Sequence, residues 1–524
     1  MPGSAVCFER CAVNDVGMPG DPCPNRVAAR NSRWAARAVR LAAAFVVLLL
    51  GVAGCAASAE QPEPGVLTVG VREPAGLLPA DLRDQTGRMI VGALWTPLVD
   101  YDAATGTTTL RAAEAVSSTD QMTWEVKLRN GNQFHDGTPV TAKSYVDTWR
   151  TVAAERWTGS GALTEVLRAN EISAPDEHTL RIVLDRPFGQ VPAVLAAPAL
   201  LPLPASVLAS RDWAGFAVAP VGNGPFRLAE PWQPNSGGRL LRVGEAAGNV
   251  REIQLRVGDS VAQYAQVRAG SLDLATEVPG ARHDAMHQDF ADRHAMWPLP
   301  EASYLAFPMS DKRFEDAAAR HAFAMALDRA ALAAGPLANQ VDPARALLPP
   351  GIAPGERSAT CRPCTHDQPA AKSLLGQVTF TGPVTLYFGA AQEQWAQPLA
   401  EQLRTAFALE VTARPRGYQA PQPSDAPFLL TYAPSTASPH ELLTALAKTT
   451  ALPDEGFTQL LAAADAAATA AESGQRYRLV ENHLLRDLPI APLWSGHGHA
   501  VWTPRVHQVT ATPLRGIELA SISL

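Results

Sequence analysis

The sequence predicts an α/β protein that is divided into two lobes, and three observations support this fold class. The chain has 524 residues, which is more than one hydrophobic core can organise. Its first half carries β-type alternation, for example at residues 124–129. Its second half contains a strand–helix–strand unit over residues 385–412, a pattern typical of parallel sheets covered by helices.

The elements of the first half follow from local patterns. Residues 66–71 are a β-rich run, and a helical stretch is expected at 84–94. The strand at 124–129 ends in turns rich in Gly, Asp and Pro, after which Thr141 is expected to cap an amphipathic helix. A second alternating strand is expected at 180–184.

The second half is richer in helix. Residues 316–332 are Ala-rich with helical periodicity, and residues 454–486 form another Ala/Leu-rich helical region. Residues 488–493 read as an extended buried segment. A cleft between two such lobes is where a small ligand is expected to bind.

Charge composition argues against a nucleic-acid partner. The chain has 44 Lys and Arg against 51 Asp and Glu, a formal net charge of −7. The basic residues are scattered along the chain, whereas a nucleic-acid binder needs a basic face that displaces counterions from phosphate.

The amino terminus has the features of a secretory signal. Arginines precede an apolar run at residues 41–54, which is too short for a membrane span of roughly 20 residues. The tetrapeptide Val-Ala-Gly-Cys that ends at Cys55 resembles the bacterial lipobox. We therefore predict a lipoprotein signal peptide at 1–54, an acylated Cys55 as lipid anchor and a tether at 55–65; the alternative is an ordinary signal peptide with a chance cysteine.

Removal of the signal peptide would leave Cys361 and Cys364 as the other cysteines of the exported chain. A disulfide between them is expected in an oxidising compartment. A redox role would need the first cysteine at a helix amino terminus, and a metal site would need four ligands where His366 offers only a third.

Catalytic and metal-binding motifs are incomplete. Residues 159–161 (Gly-Ser-Gly) lack the G-x-S-x-G spacing, and residues 440–444 (His-Glu-Leu-Leu-Thr) lack the second His of a zinc protease. The Gly-His-Gly-His run at 496–499 is interpreted as an exposed turn, and three further histidines at near-helical spacing as a solvated face: His283, His287 and His294. We predict no enzyme, no cofactor and no metal site.

Several ordered segments resemble one family. The strongest is 115–142, an alternating strand followed by Gly, an aromatic residue, Asp-Gly and Pro-Val-Thr-Ala; others follow in family order at 220–226, 269–273, 320–328 and 488–493. On these segments the chain resembles the extracytoplasmic solute-binding proteins of the peptide/nickel ABC-importer family.

The resemblance implies an α/β fold, a two-lobed periplasmic-binding-protein-like clamp with a discontinuous first lobe that closes by hinge motion. Lobe 1 is expected at 66–300 with an extra β-rich subdomain at about 100–240. Lobe 2 is expected at 301–490, and residues 491–524 return to lobe 1.

The implied function is that of a monomeric, lipid-anchored substrate-binding component on the extracytoplasmic face of the cell membrane. It would capture a peptide or peptide-like solute in the interlobe cleft and deliver it to permease and ATPase subunits. Two alternatives stay open: a lipoprotein of the same fold without a transport role, such as a cell-envelope regulator or a non-peptide ligand binder, and, more weakly, a secreted hydrolase.

Candidate ligand-binding residues follow from the expected cleft and the resemblance: Glu73, Leu77, Tyr304, Tyr432, Ser435 and Trp494. For the aromatic residues the alternative is core packing, and about half are expected to be buried. The family's W-x-A-D-Y-P-D-P loop places an Asp against the peptide's α-ammonium, where this chain has Ser435. A hydroxyl does not offset the desolvation of an ammonium, so free-amine peptides are disfavoured unless another acid, for which Glu73 is the candidate, replaces the lost partner.

Overall fold

The computed structural model describes residues 63–524 apart from 103, 245–248, 353–360, 417–424 and 452–453. Pro62–Leu524 forms one compact unit. The predicted signal peptide, the Cys55 anchor and most of the tether lie outside the described residues. Within the described ranges, no helix combines the length and the apolar character that a membrane crossing needs.

The strands are numbered in chain order. They are β1 Val66–Val71, β2 Val99–Asp102, β3 Thr107–Leu110, β4 Ala113–Ser118, β5 Thr123–Leu128, β6 Ala169–Ser173, β7 Thr179–Leu184, β8 Phe226–Leu228, β9 Gly237–Arg242, β10 Glu252–Val257, β11 Leu274–Ala275, β12 His294–Ala306, β13 Val341–Pro343, β14 Val384–Phe388, β15 Val411–Pro415, β16 Phe428–Tyr432, β17 Ile490–Trp502, β18 Ala511–Thr512 and β19 Gly516–Ile517.

The α-helices of the described chain lie between these strands. Their bounds are Gln85–Leu94, Ala142–Glu155, Val191–Leu195, Ala205–Ser210, Trp213–Val218, Ser260–Ala269, His283–Phe290, Ala317–Met325, Arg329–Ala334, Gln368–Leu375, Glu393–Phe407, Pro439–Thr449, Glu455–Asp465 and Ala470–Asp487. The predicted cap at Thr141 is present as a reciprocal capping box with Ser144.

One large mixed sheet runs through the molecule in the order β15-β14-β16-β12-β17-β11-β1-β10-β9-β8, with β13 paired to β17. The pair β14–β15 is parallel, as the strand–helix–strand pattern at 385–412 predicts, and β1–β10 is parallel as well. The two longest strands, β12 and β17, are antiparallel neighbours at its centre. They carry the chain from one lobe to the other and back.

The buried apolar side chains divide into separate clusters that correspond to the lobes. One cluster lies between Ala302 and Trp494 and forms the core of lobe 2. A second cluster contains residues of 67–299 together with residues from Ala500 onward. It forms the core of lobe 1, which is therefore discontinuous in sequence. The predicted boundaries at 300 and 490 therefore fall on β12 and β17, the strands that both cores share.

The β-rich subdomain has its own core and its own four-stranded antiparallel sheet, β4-β5-β7-β6. Its core takes residues from 80–200. The predicted extent of about 100–240 is too long at the carboxyl side, because β8 and β9 hydrogen-bond into the large sheet of lobe 1.

Candidate functional site

A cavity of about 420 Å³ lies between the subdomain side of lobe 1 and lobe 2. On the first side its wall consists of the helix Gln85–Leu94 and the turns around residues 79–82, 156–166 and 198–199. On the second side it consists of residues 432–435 and the start of the helix Pro439–Thr449. Residues of both lobes therefore line one partly open cavity.

The first wall is held by close backbone packing. Asp81 Oδ1 accepts hydrogen bonds from Thr158 Oγ1 (2.6 Å) and Thr158 N (3.2 Å), which joins two of the turns. Gly159 lies so near Ala199 that a Cβ atom at 159 would be 2.5 Å from the Ala199 side chain. A side chain at 159 would clash there, so this part of the wall depends on Gly159.

On the opposite wall, Glu441 organises the loop that precedes its helix. Its Oε1 accepts hydrogen bonds from Ser435 N (2.8 Å) and Oγ (3.0 Å), and its Oε2 accepts from Thr436 N (2.9 Å) and Oγ1 (2.7 Å). Burial raises the pKa of the Glu441 carboxyl, and these four donors oppose that rise. A buried carboxyl group thus lies directly against Ser435 at the cavity.

Arg88 brings the opposite charge to the first wall. Burial lowers the pKa of Arg88, while Glu301, Asp84 and Glu441 act on its charge in the other direction. Among the described residues, no hydrogen bond or ion pair of its guanidinium group is present. Because arginine stays protonated, the cavity contains a cation with free donors.

Direct contacts join the lobes beside the cavity. Lys448 Nζ lies 2.8 Å from Glu165 Oε2 at the mouth, where both side chains are about half exposed. Deeper in, Arg186 Nε of the subdomain lies 3.2 Å from Asp465 Oδ2 of lobe 2, and Asp465 is buried. These contacts belong to a closed arrangement of the two lobes.

Asp465 is the centre of a buried polar network. Its Oδ1 accepts a hydrogen bond from Tyr477 Oη (2.7 Å) and lies 2.9 Å from His440 Nδ1. His440 also lines the cavity. His440, the first residue of the incomplete zinc-protease motif, is held by the Asp465 carboxylate. Its ring packs edge-on against Phe188 of the subdomain.

The sequence-predicted site residues divide into two groups. Tyr432 and Ser435 line the cavity together, on the lobe 2 wall. The others lie elsewhere: Leu77, Tyr304 and Trp494 are buried in cores, and Glu73 is on the surface of lobe 1. Ligand contact by Tyr432 and Ser435 stays a prediction.

The expected cleft positions of the second group need correction, and each has a physical reason. Leu77 is part of the lobe 1 core. Tyr304 lies inside lobe 2 and donates a hydrogen bond from Oη to Leu347 O (2.6 Å). Trp494 packs edge-on against Trp395, with ring centroids 4.5 Å apart. Glu73 accepts hydrogen bonds from Trp232 Nε1 (2.8 Å) and a backbone amide, so it does not replace the missing acid of the loop.

Four charged residues of the cavity were not predicted from the sequence: Arg88, Arg156, Glu165 and Glu441. Glu441 had one signal, since it follows the family loop by a few residues and starts a helix. Arg88 and Glu165 lie on helical segments of the first wall with no motif around them, and only the packing of the lobes brings them to the cavity.

The structure joins Cys361 and Cys364 in a disulfide. The adjoining carbonyl of Cys364 accepts a hydrogen bond from Arg329 Nη1 (3.1 Å), and Arg329 Nε donates to Pro492 O of β17 (2.9 Å). The disulfide loop is thereby attached to the core of lobe 2.

Comparison with known proteins identifies the family. Residues 108–426, more than half of the chain, match the family described as "Bacterial extracellular solute-binding proteins, family 5 Middle". The chain belongs to this family. The resemblance found in the sequence is confirmed, and so is the α/β two-lobed fold.

Individual family 5 proteins show how far the similarity extends. The "probable D,D-dipeptide-binding periplasmic protein DdpA" of Escherichia coli K12 is 27% identical over 365 residues, which cover 67% of this chain and 69% of that protein. The glutathione-binding protein GsiB of the same strain is 25% identical, and the match spans 58% of this chain and 59% of GsiB.

A solved family 5 structure, DppA from Helicobacter pylori in complex with the peptide STSA, superposes with a TM-score of 0.71. It is 18% identical, with 88% of this chain and 98% of DppA covered. These relatives are binding proteins rather than enzymes.

Proposed function

We propose that this family 5 protein is the lipid-anchored substrate-binding component of an ABC importer, and that the interlobe cavity binds a peptide or peptide-like solute. The observation that carries the proposal is the cavity itself, because residues of both lobes line it and would enclose a solute on closure. The complex of DppA from Helicobacter pylori with the peptide STSA supports this class of solute.

The size and charges of the cavity narrow this class. A volume of about 420 Å³ is at the lower end of the range for small-molecule sites, which favours a solute of a few residues over a long peptide. The free donors of Arg88 suit a carboxylate or another planar anion. The acceptor positions of Glu441 are occupied by its own loop, so an α-ammonium would be held more weakly than by a free carboxylate.

The test combines ligand discovery with one variant. Native mass spectrometry of the purified protein identifies a co-purified solute, and calorimetry measures its affinity. Loss of a hydrogen bond to a charged group costs about 1.5–3 kcal/mol, so Arg88→Gln should weaken binding roughly 10- to 150-fold. The control is Arg150→Gln, an exposed arginine outside the cavity. Equal affinities for Arg88→Gln and the wild type would contradict this site.

The lipid anchor is tested separately. Cys55→Ala removes the thiol that would be acylated, so the protein should no longer sediment with membranes. Continued sedimentation of the variant would refute the anchor and leave the binding proposal intact.

The alternative of a non-transporting lipoprotein is favoured by one observation, Ser435 at the position of the family's Asp. Uptake of the identified solute by cells with and without the gene separates the two functions. Import predicts reduced uptake in the deleted cells, whereas the alternative predicts equal uptake.

A further inference from the structure

Five of the twelve histidines of the chain lie together on lobe 1, away from the interlobe cavity. Their rings form a continuous series, with centroids 4.6 Å apart for His287–His294, 6.2 Å for His283–His287, 5.2 Å for His283–His499 and 5.9 Å for His497–His499. Two sequence segments that were interpreted separately, as a solvated face and as an exposed turn, thus meet at one place.

The packing of one helix on two strands explains this placement. His497 and His499 are two residues apart on β17, so their side chains share a face of the sheet. The helix His283–Phe290 covers this face, and its Met286 and Phe290 are buried in one cluster with Val501 of β17. The histidines of the helix are therefore held above those of the strand.

The two strand histidines have one ring nitrogen engaged and the other without a partner. His497 Nε2 lies 2.6 Å from Asp342 Oδ2, whereas His497 Nδ1 is buried and unpaired. His499 is hydrogen-bonded to the backbone of His497, whereas its Nε2 is buried and unpaired. In the neutral ring that donates its N–H from the engaged nitrogen, the buried nitrogen keeps its lone pair.

This arrangement is the usual outer shell of a metal-binding histidine, in which a carboxylate or a carbonyl holds the far N–H and orients the ring. We propose that His497, His499 and His283 bind a transition-metal ion of the Zn²⁺ class. Asp342 acts as a positioning residue through His497. The exposed His287 lies beside His283 and provides a route of entry or a further ligand.

The distances agree with this assignment. With Zn–N bonds of 2.0–2.1 Å and tetrahedral angles, the centroids of two imidazoles on one ion lie about 5 Å apart. The 5.2 Å and 5.9 Å separations around His499 are close to this value. In the described part of the chain no three metal-ligating side chains already converge on one point. Binding therefore requires rotation of the half-buried His283, which would give up its contact with Gln340 Nε2 (3.4 Å).

Two carboxylates lie near the proposed ligands. Asp342 and Asp284 act on His283 as nearby negative charges and would offset part of the charge of a divalent cation.

Calorimetry with Zn²⁺ alone tests the proposal on the purified protein after EDTA treatment. We expect one ion per chain, with affinity lowered at least 100-fold in His499→Gln. Asp342→Asn, an exposed change that leaves all ligands in place, should lower the affinity roughly 10- to 100-fold. His178→Gln removes an exposed histidine outside the cluster and should bind Zn²⁺ as the wild type does.

A spectroscopic measurement on the unmodified protein covers the case in which a variant does not fold. Cobalt(II) should give the visible absorption of a tetrahedral nitrogen-ligated ion, and Zn²⁺ should abolish it. Absence of stoichiometric Zn²⁺ binding by the wild type would overturn the proposal. Wild-type affinity in both His499→Gln and Asp342→Asn, with folding verified by thermal melting, would do so as well.

Discussion

Removal of the Arg186 charge tests whether the contact with Asp465 stabilises the closed arrangement of the lobes. Arg186→Met keeps much of the aliphatic stem and eliminates the guanidinium group, whose Cζ lies 5.1 Å from the centroid of the Phe188 ring. Asp465 then retains Tyr477 and His440 as partners on its own lobe. The closed state loses a charged contact, whereas in the open state water can solvate both groups.

The magnitude follows from the geometry of the pair. At 3.2 Å and an effective dielectric constant of about 20, the gross attraction is about 5 kcal/mol, which is an upper limit. Desolvation and the two remaining donors of Asp465 reduce the net loss to that of a hydrogen bond with a charged partner, about 1.5–3 kcal/mol. The ratio of closed to open molecules should therefore fall roughly 10- to 150-fold.

Small-angle X-ray scattering of the ligand-free protein measures the mean separation of the lobes. We expect a larger radius of gyration for Arg186→Met, and affinity for the solute should fall in proportion to the closed population. Arg168→Met is the matched control, because Arg168 pairs with Asp185 inside the subdomain. An unchanged radius and affinity in Arg186→Met, with only a loss of unfolding free energy, would refute the role in closure.

Three further predictions concern lobe 2. Burial raises the pKa of the Glu441 carboxyl above its ordinary value of 4.5. The contribution of Glu441 to the free energy of unfolding is therefore largest below pH 4.5, and it declines as the pH rises through the pKa of the folded state. Glu441→Gln should remove this part of the pH dependence of urea unfolding. Arg329→Met leaves four backbone carbonyls without their buried cationic donor. The free energy of unfolding measured with urea should fall by about 3–5 kcal/mol, and a fall of less than about 1 kcal/mol would contradict this. Replacement of Cys361 and Cys364 by Ala opens a very short loop and should cost about 2 kcal/mol, an effect that dithiothreitol should reproduce in the wild type.

Much of the fold was predictable because local patterns and family segments agree. The alternation at residues 124–129 became β5, and the unit at 385–412 became β14, a helix and β15. The extent of the subdomain was not predictable, because β8 has only three residues and its pairing with β9 is decided by tertiary contacts. Propensity does not distinguish a strand that joins a small sheet from one that joins the large sheet.

The candidate site was predictable only where a motif marked it. Tyr432 and Ser435 were found because their loop aligns with a family pattern, and both reach the cavity. The sequence predicts Tyr304 in the cleft as a hinge-proximal residue and Trp494 as the residue after the late strand. Strands that cross between lobes at the centre of a sheet are covered on both faces, so large aromatic residues there become core. Periodicity alone does not distinguish an aromatic residue that lines the cleft from one that packs in the core.

The central strand β17 joins the histidine cluster to the cores of both lobes. Its Trp494 belongs to the core of lobe 2 and its Ala500 to that of lobe 1, with His497 between them. Asp342, the partner of His497, lies on β13, which pairs with β17 next to the lobe 2 core. A metal ion at the histidine cluster would therefore bind His497 of β17 and, through it, fix Asp342 of β13 beside the core of lobe 2. Coupling between two binding sites is reciprocal. If Zn²⁺ binds open and closed molecules with different affinities, then bound Zn²⁺ must change the affinity of the cavity for its solute by the corresponding factor. Solute calorimetry with and without Zn²⁺ measures that coupling, and equal affinities would mean that the metal site and lobe closure are independent.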